Sequence, residues 1–136
     1  MSDLARYIEV IVEPTYADFR AQPSSRRAFL TCVAIFHAVD RVTFPRKPAV
    51  LRTQWRRQSL EFGLVDVVAH HFKHVQSGDE RIPADRPGLA IGFNEDGHEI
   101  ELRNFSFVMR DAITFLKRKA AELGAAEDAP AVAAAP

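Results

Sequence analysis

The chain is predicted to be mainly α-helical, an up-and-down bundle of about four helices with one small β-hairpin before the last. Three observations predict it. Apolar residues recur at helical spacing through most of the chain, proline and glycine punctuate that pattern at intervals, and the period drops to two over a single stretch, 89–102.

Ser2 is placed to cap a first helix over 2–13, with Leu4, Ile8, Ile11 and Val12 on one face, and Pro14 ends or kinks it. A further helical piece is expected over 15–22. Pro23-Ser24-Ser25 reads as a break followed by a cap, opening a helix over 25–44. Phe29, Leu30, Val33, Ile35, Phe36, Val39 and Val42 surround almost its whole circumference, the pattern of a central core helix. Pro45 and Pro48 close it and introduce a basic segment, 46–57, which is expected to turn helical after Pro48 and lead into a third long helix over 59–76.

Gly78 and the 83–88 stretch read as a loop. Leu89, Ile91 and Phe93, the turn Asn94-Glu95-Asp96-Gly97, then Ile100 and Leu102 read as a hairpin whose apolar face needs the helical core for support. The last helix is expected over 106–123, with Phe107, Val108, Ile113, Phe115 and Leu116 for packing, Lys117-Arg118-Lys119 near its end and Gly124 as stop. Residues 1–124 are thus read as one helical domain, and 125–136 as a disordered Ala/Pro-rich tail.

Formal neutrality at pH 7 excludes a global field toward nucleic acid or acidic membrane. It conceals an asymmetry. Residues 1–57 hold 10 Lys or Arg against 5 acids, whereas the remainder holds 8 against 13, so an anion-binding surface is expected in the first half. The one cysteine, Cys32, lies in an apolar helical run and reads as a small buried thiol. With neither a cleavable leader nor an apolar run of membrane length in the sequence, a cytoplasmic location without membrane contact is expected.

Three of the five histidines fall within Ala69-His70-His71-Phe72-Lys73-His74-Val75, four residues after Asp66. On a helix Asp66, His70, Lys73 and His74 share an arc of about 100° opposite Leu64, Val68, Phe72 and Val75. The plain expectation is an amphipathic helix with a weak Asp66/His70 pair on its wet face. The sharper one adds His37 and Asp40, polar residues on the otherwise apolar 25–44 helix, which need partners if buried. Neutral imidazoles with carboxylates from His37, Asp40, Asp66, His70 and His74 suit a Zn, Fe or Mn ion. A metal-free alternative makes His37 or His74 a general base oriented by Asp40 or Asp66. The second cluster is Arg46, Lys47, Arg52, Trp55, Arg56 and Arg57, where guanidinium forks beside an indole suit phosphate contact and base stacking. Phosphate-loop, dinucleotide-binding and Ser/Cys nucleophile signatures are missing from the sequence.

Phe36-His37-Ala38-Val39-Asp40 followed by Ala69-His70-His71-Phe72-Lys73-His74-Val75 resembles a pattern of small bacterial all-α proteins related to the HEPN-like bundles. There a His-x-x-Asp step precedes a helix ending in Ala-(Asn or Asp)-x-x-Lys-His and an apolar residue. The two segments cover about a tenth of the chain. The resemblance implies an all-α bundle with functional positions at His37, Asp40, Lys73 and His74, and admits RNA-directed or toxin-antitoxin roles. This chain departs from it in two ways, with His70 in place of Asn or Asp and without the Arg-x4-6-His signature of the RNA-cleaving members.

The expected function is a binding or interaction module for RNA or a protein partner, with metal-dependent hydrolysis at the His/Asp cluster as the alternative. Ten phenylalanines and an unpaired hairpin edge also predict a homodimer.

Overall fold

The computed structural model describes residues 2–73 and 102–128, and over them the chain is helical, with no strand among the described residues. The hairpin expected over 89–102 lies outside them except for Leu102. That residue opens a helix instead of ending a strand.

Helix α1 (Asp3–Tyr7) begins on Ser2, whose hydroxyl accepts from the Ala5 N–H at 3.1 Å. It runs through a π-helical turn (Ile8–Val12) into α2 (Glu13–Ala21), so Pro14 neither ends the helix nor stands alone as a kink. The wider turn lies immediately before the proline, where an N–H is missing from the regular ladder. It also lets Leu4, Ile8 and Val12, spaced by four, remain buried together, while Ile11 turns outward.

Helix α3 (Ser25–Phe36) is capped by Ser24, which accepts from the Arg27 N–H at 3.1 Å. The helix expected over 25–44 is interrupted at His37, and α4 (Ala38–Thr43) follows. After the turn around Pro45 and Pro48 come α5 (Ala49–Gln58) and α6 (Leu60–Lys73), separated by Ser59 alone. Ser59 accepts from the Phe62 N–H at 3.0 Å, ending one helix and capping the next. Helix α7 (Leu102–Asp128) continues past Gly124, where a stop was expected. Alanines on both sides of Gly124 favour the helix, and this offsets the cost of about 1 kcal/mol for one internal glycine.

Two helices are central: α3, which packs on α2, α4, α6 and α7 as its apolar circumference predicts, and α6. Helix α6 packs on α3, α5 and α7, and Val65 through Ala69 are buried without a break, a pattern possible only with neighbours around most of the circumference. Helix α3 contributes Ala28, Cys32 and Ile35 to the core but leaves Leu30 exposed, so it is amphipathic. Burial pushes the Cys32 thiol far up, away from the reactive thiolate.

Three rings join the short α5 to the two long helices. The Trp55, Phe62 and Phe115 centroids lie 5.6, 5.7 and 5.9 Å apart, two of the three contacts edge-to-face. Helix α7 is also tied to α2, where Lys117 pairs with Glu13 and the Tyr16 hydroxyl donates to the Ser106 carbonyl at 3.0 Å.

Phe62 is fully buried between the other two rings, so Phe62→Ala is expected to cost about 3–5 kcal/mol through lost transfer energy and a residual cavity. Urea denaturation checks this as a lower midpoint at unchanged slope. A loss below about 1 kcal/mol would mean that the three rings do not form one packed unit.

Candidate functional site

The basic segment divides by what α5 buries. Trp55 is 3% exposed, inside the core, and is therefore not the base-stacking platform its setting among arginines suggests. Arg52, one turn earlier, places its guanidinium 4.2 Å from the centroid of the Phe36 ring on α3. Arg56, next to Trp55, sets Nη1 3.0 Å from a carboxylate oxygen of Asp66 on α6. Asp66 is fully buried, so its charge requires a cation at this position. Both of these arginines, expected to contact phosphate beside the indole, thus serve contacts between helices. Arg46, Lys47 and Arg57 remain exposed.

Arg46 and Lys47 lie at the corner joining α4 to α5, between two exposed apolar residues. Phe44 is 83% exposed and Val50 72%. The corner is tied to α4 by the Phe44 N–H donating to the Asp40 carbonyl at 3.0 Å and the Arg46 N–H donating to the Thr43 carbonyl at 2.7 Å. Its apolar side chains are therefore presented on an ordered backbone.

His37 closes α3 by donating its N–H to the Val33 carbonyl at 3.0 Å, and its own carbonyl accepts from the Asp40 N–H at 3.1 Å to start α4. The three-residue step brings the imidazole Nδ1 to 3.1 Å from Asp40 Oδ2. A carboxylate only accepts, so Nδ1 is the donor in this contact and Nε2 is the ring nitrogen left outside it. The His37 side chain is 55% exposed, so this pair is not the buried group in need of partners that the 25–44 pattern suggested. An exposed pair of this kind contributes at most about 0.5 kcal/mol. The Phe36 ring meets the imidazole edge-on, with centroids 5.3 Å apart.

Beside it, Arg41 of α4 forms two parallel hydrogen bonds to Asp3, both at 2.9 Å, joining the chain's first helix to this end of the molecule. Arg41 also lies over the Tyr7 ring, and the Tyr7 hydroxyl donates to the Ala34 carbonyl at 2.6 Å. Burial holds the Tyr7 phenol above its ordinary range; nearby Arg41 opposes the shift and Asp40 adds to it. Asp3, Tyr7 and Arg41 were not singled out from the sequence. The Asp3–Arg41 pair spans 38 positions and leaves no local spacing to read.

Asp66 engages Arg56. His70 and Lys73 lie along the last turns of α6, and His74 lies outside the described residues. The proposed metal set, His37, Asp40, Asp66, His70 and His74, therefore falls partly outside them. Among the described residues no group of three or more His, Cys, Asp or Glu is arranged to hold a metal ion. None of the described helices is long and apolar enough to cross a membrane.

Comparison of the chain with protein-family models, with curated proteins and with solved structures finds no match in any of the three. The resemblance to HEPN-like bundles therefore rests on the two sequence segments alone.

The Arg56–Asp66 geometry predicts an asymmetry between breaking the pair and replacing it. Arg56→Ala is expected to destabilise the chain by about 3 kcal/mol by stranding the carboxylate, whereas Arg56→Met combined with Asp66→Leu recovers most of that loss. Denaturation midpoints of the two variants check this. Losses below about 0.5 kcal/mol in the single variant would reduce the pair to an ordinary surface contact.

Proposed function

We propose that this chain is a protein-interaction module, and that it docks through the α4–α5 corner into an apolar pocket with an acidic rim on its partner. The observation that carries the proposal is Phe44, a large aromatic side chain 83% exposed on an ordered turn. Val50 extends the apolar patch, and Arg46 and Lys47 supply the flanking charge. A central aromatic anchor with a charged rim is the arrangement by which interfaces concentrate binding energy, the charges steering encounter and fixing orientation.

RNA is the less favoured partner, since burial of Trp55 and the internal contacts of Arg52 and Arg56 leave a smaller basic footprint than the sequence suggests. A homodimer through this same corner is disfavoured as well, because a two-fold axis here would bring together like charges from Arg46 and Lys47. A second reading, hydrolysis with or without a metal ion, draws support from the His37–Asp40 pair, which holds Nδ1 on the carboxylate and leaves Nε2 outside that contact.

Site-specific photo-crosslinking in cells tests the corner. A photoreactive amino acid in place of Phe44 is expected to trap one discrete polypeptide. The adduct should resist ribonuclease, be lost with Arg46→Glu and Lys47→Glu together, and not appear when the probe replaces exposed Thr53 on α5. An adduct no stronger at position 44 than at position 53 would contradict the proposal, and an adduct destroyed by ribonuclease would move it to RNA.

A further inference from the structure

On the side of the molecule where α2 meets α7 there is a cleft of about 550 Å³, within the size range of small-molecule sites. One wall is Tyr16, Arg20 and Pro23 from the end of α2 and the turn after it; the other is Ser106, Phe107 and Arg110 from α7. Each wall pairs a ring with a guanidinium. Arg20 lies 5.9 Å from the Tyr16 centroid, and Arg110 lies 5.0 Å from the Phe107 centroid. Phe19 adds an apolar, almost fully buried surface, and none of the described residues lining the cleft is a carboxylate.

We infer that this cleft binds a small planar anion, an aromatic ring bearing a carboxylate or a phosphate. The charge of the lining selects an anion, since two arginines border the space and Asp111, paired with Arg110 from outside the described lining, offsets only one of them. Arg110 is held in place by its Nε–H donating to Asp111 at 3.1 Å, an arrangement that orders the side chain while its terminal nitrogens stay available as donors. The rings select a flat apolar group. Phe107 is 54% exposed at the cleft, whereas Phe105 and Phe115 of the same helix are buried in the core. A ring stacked on Phe107 covers this exposed apolar surface and places a substituent beside the guanidiniums.

The two walls are already fastened to each other. The Tyr16 hydroxyl donates to the Ser106 carbonyl at 3.0 Å and lies 3.3 Å from the Ser106 hydroxyl, so the ligand meets a preformed surface rather than one it must order. The cleft is separate from the α4–α5 corner in its residues, its elements and its charge pattern.

Titration of the full chain followed by amide NMR tests the inference with phenyl phosphate, benzoate, inorganic phosphate and benzylammonium. Phenyl phosphate or benzoate is expected to saturate in the millimolar range, with shifts centred on Tyr16, Arg20 and Ser106 to Arg110; the tighter of the two identifies the anionic group. Benzylammonium, with the same ring and opposite charge, and inorganic phosphate, with no ring, should each bind at least about tenfold more weakly. Arg20→Gln and Arg110→Gln remove exposed side chains outside the core, and each is expected to weaken the aromatic anion about fivefold or more. Absence of saturation, shifts centred elsewhere, equal binding of benzylammonium, or equal binding of inorganic phosphate would overturn the inference. The last two outcomes are read on the unaltered chain and do not depend on the variants folding.

Discussion

The contact of Trp55 with Phe62 and Phe115 is the constraint on which the rest of the arrangement depends. Helix α5 is ten residues long and offers the core little besides Trp55 and the half-buried Leu51, one turn earlier on the same face. Burying an indole of about 200 Å² therefore fixes the rotation of α5 about its own axis. Once that rotation is fixed, Arg52 and Arg56, at three positions before and one after, flank the buried ring and fall over Phe36 and Asp66. The exposed corner before α5 is fixed by the same rotation.

Asp66 has the complementary role on α6. A fully buried carboxylate in an unbroken run of Val65, Val67, Val68 and Ala69 is tolerated only where a cation reaches it. Arg56 reaches it with a part-exposed side chain, its apolar stem along the helix and its charged end at the carboxylate. Such a pair adds little to stability compared with apolar packing, but it penalises any other register of α5 on α6. That is a specifying role, complementary to the aromatic contact.

Much of the local structure was legible in the sequence, and the reasons are local too. The serine caps at Ser2 and Ser24, the helical content and the buried state of Cys32 each depend on spacing or side-chain chemistry within a few residues. What was not legible depends on neighbours distant in sequence. A tryptophan among arginines has the same local pattern whether it faces core or ligand, and only the positions of Phe62 and Phe115 decide between them. The 25–44 pattern marked a central helix, and α3 does pack on several neighbours, but some of its apolar residues, such as Leu30, stay exposed and the helix breaks at His37. His37 and Asp40, for which partners on the third helix were expected, meet each other across their three-residue step, with side chains about half exposed. Pro14 was expected to end or kink a helix, and a π turn absorbs it instead.

The functional reading follows from this division of the arginines. Arg52 and Arg56 beside Trp55 hold helices together, Arg46 at the corner lies with Lys47 near exposed Phe44, and Arg20 and Arg110 at the α2–α7 cleft stand over aromatic rings. All of this depends on Trp55 being a core residue, and as the chain's one tryptophan it reports its own environment directly. Acrylamide quenching of the native fluorescence is the measurement. A buried Trp55 is expected to give blue-shifted emission that acrylamide barely quenches until the chain is unfolded by denaturant. Red-shifted emission, quenched in the native chain as readily as in the unfolded one, would contradict it and return the indole and its arginines to the surface.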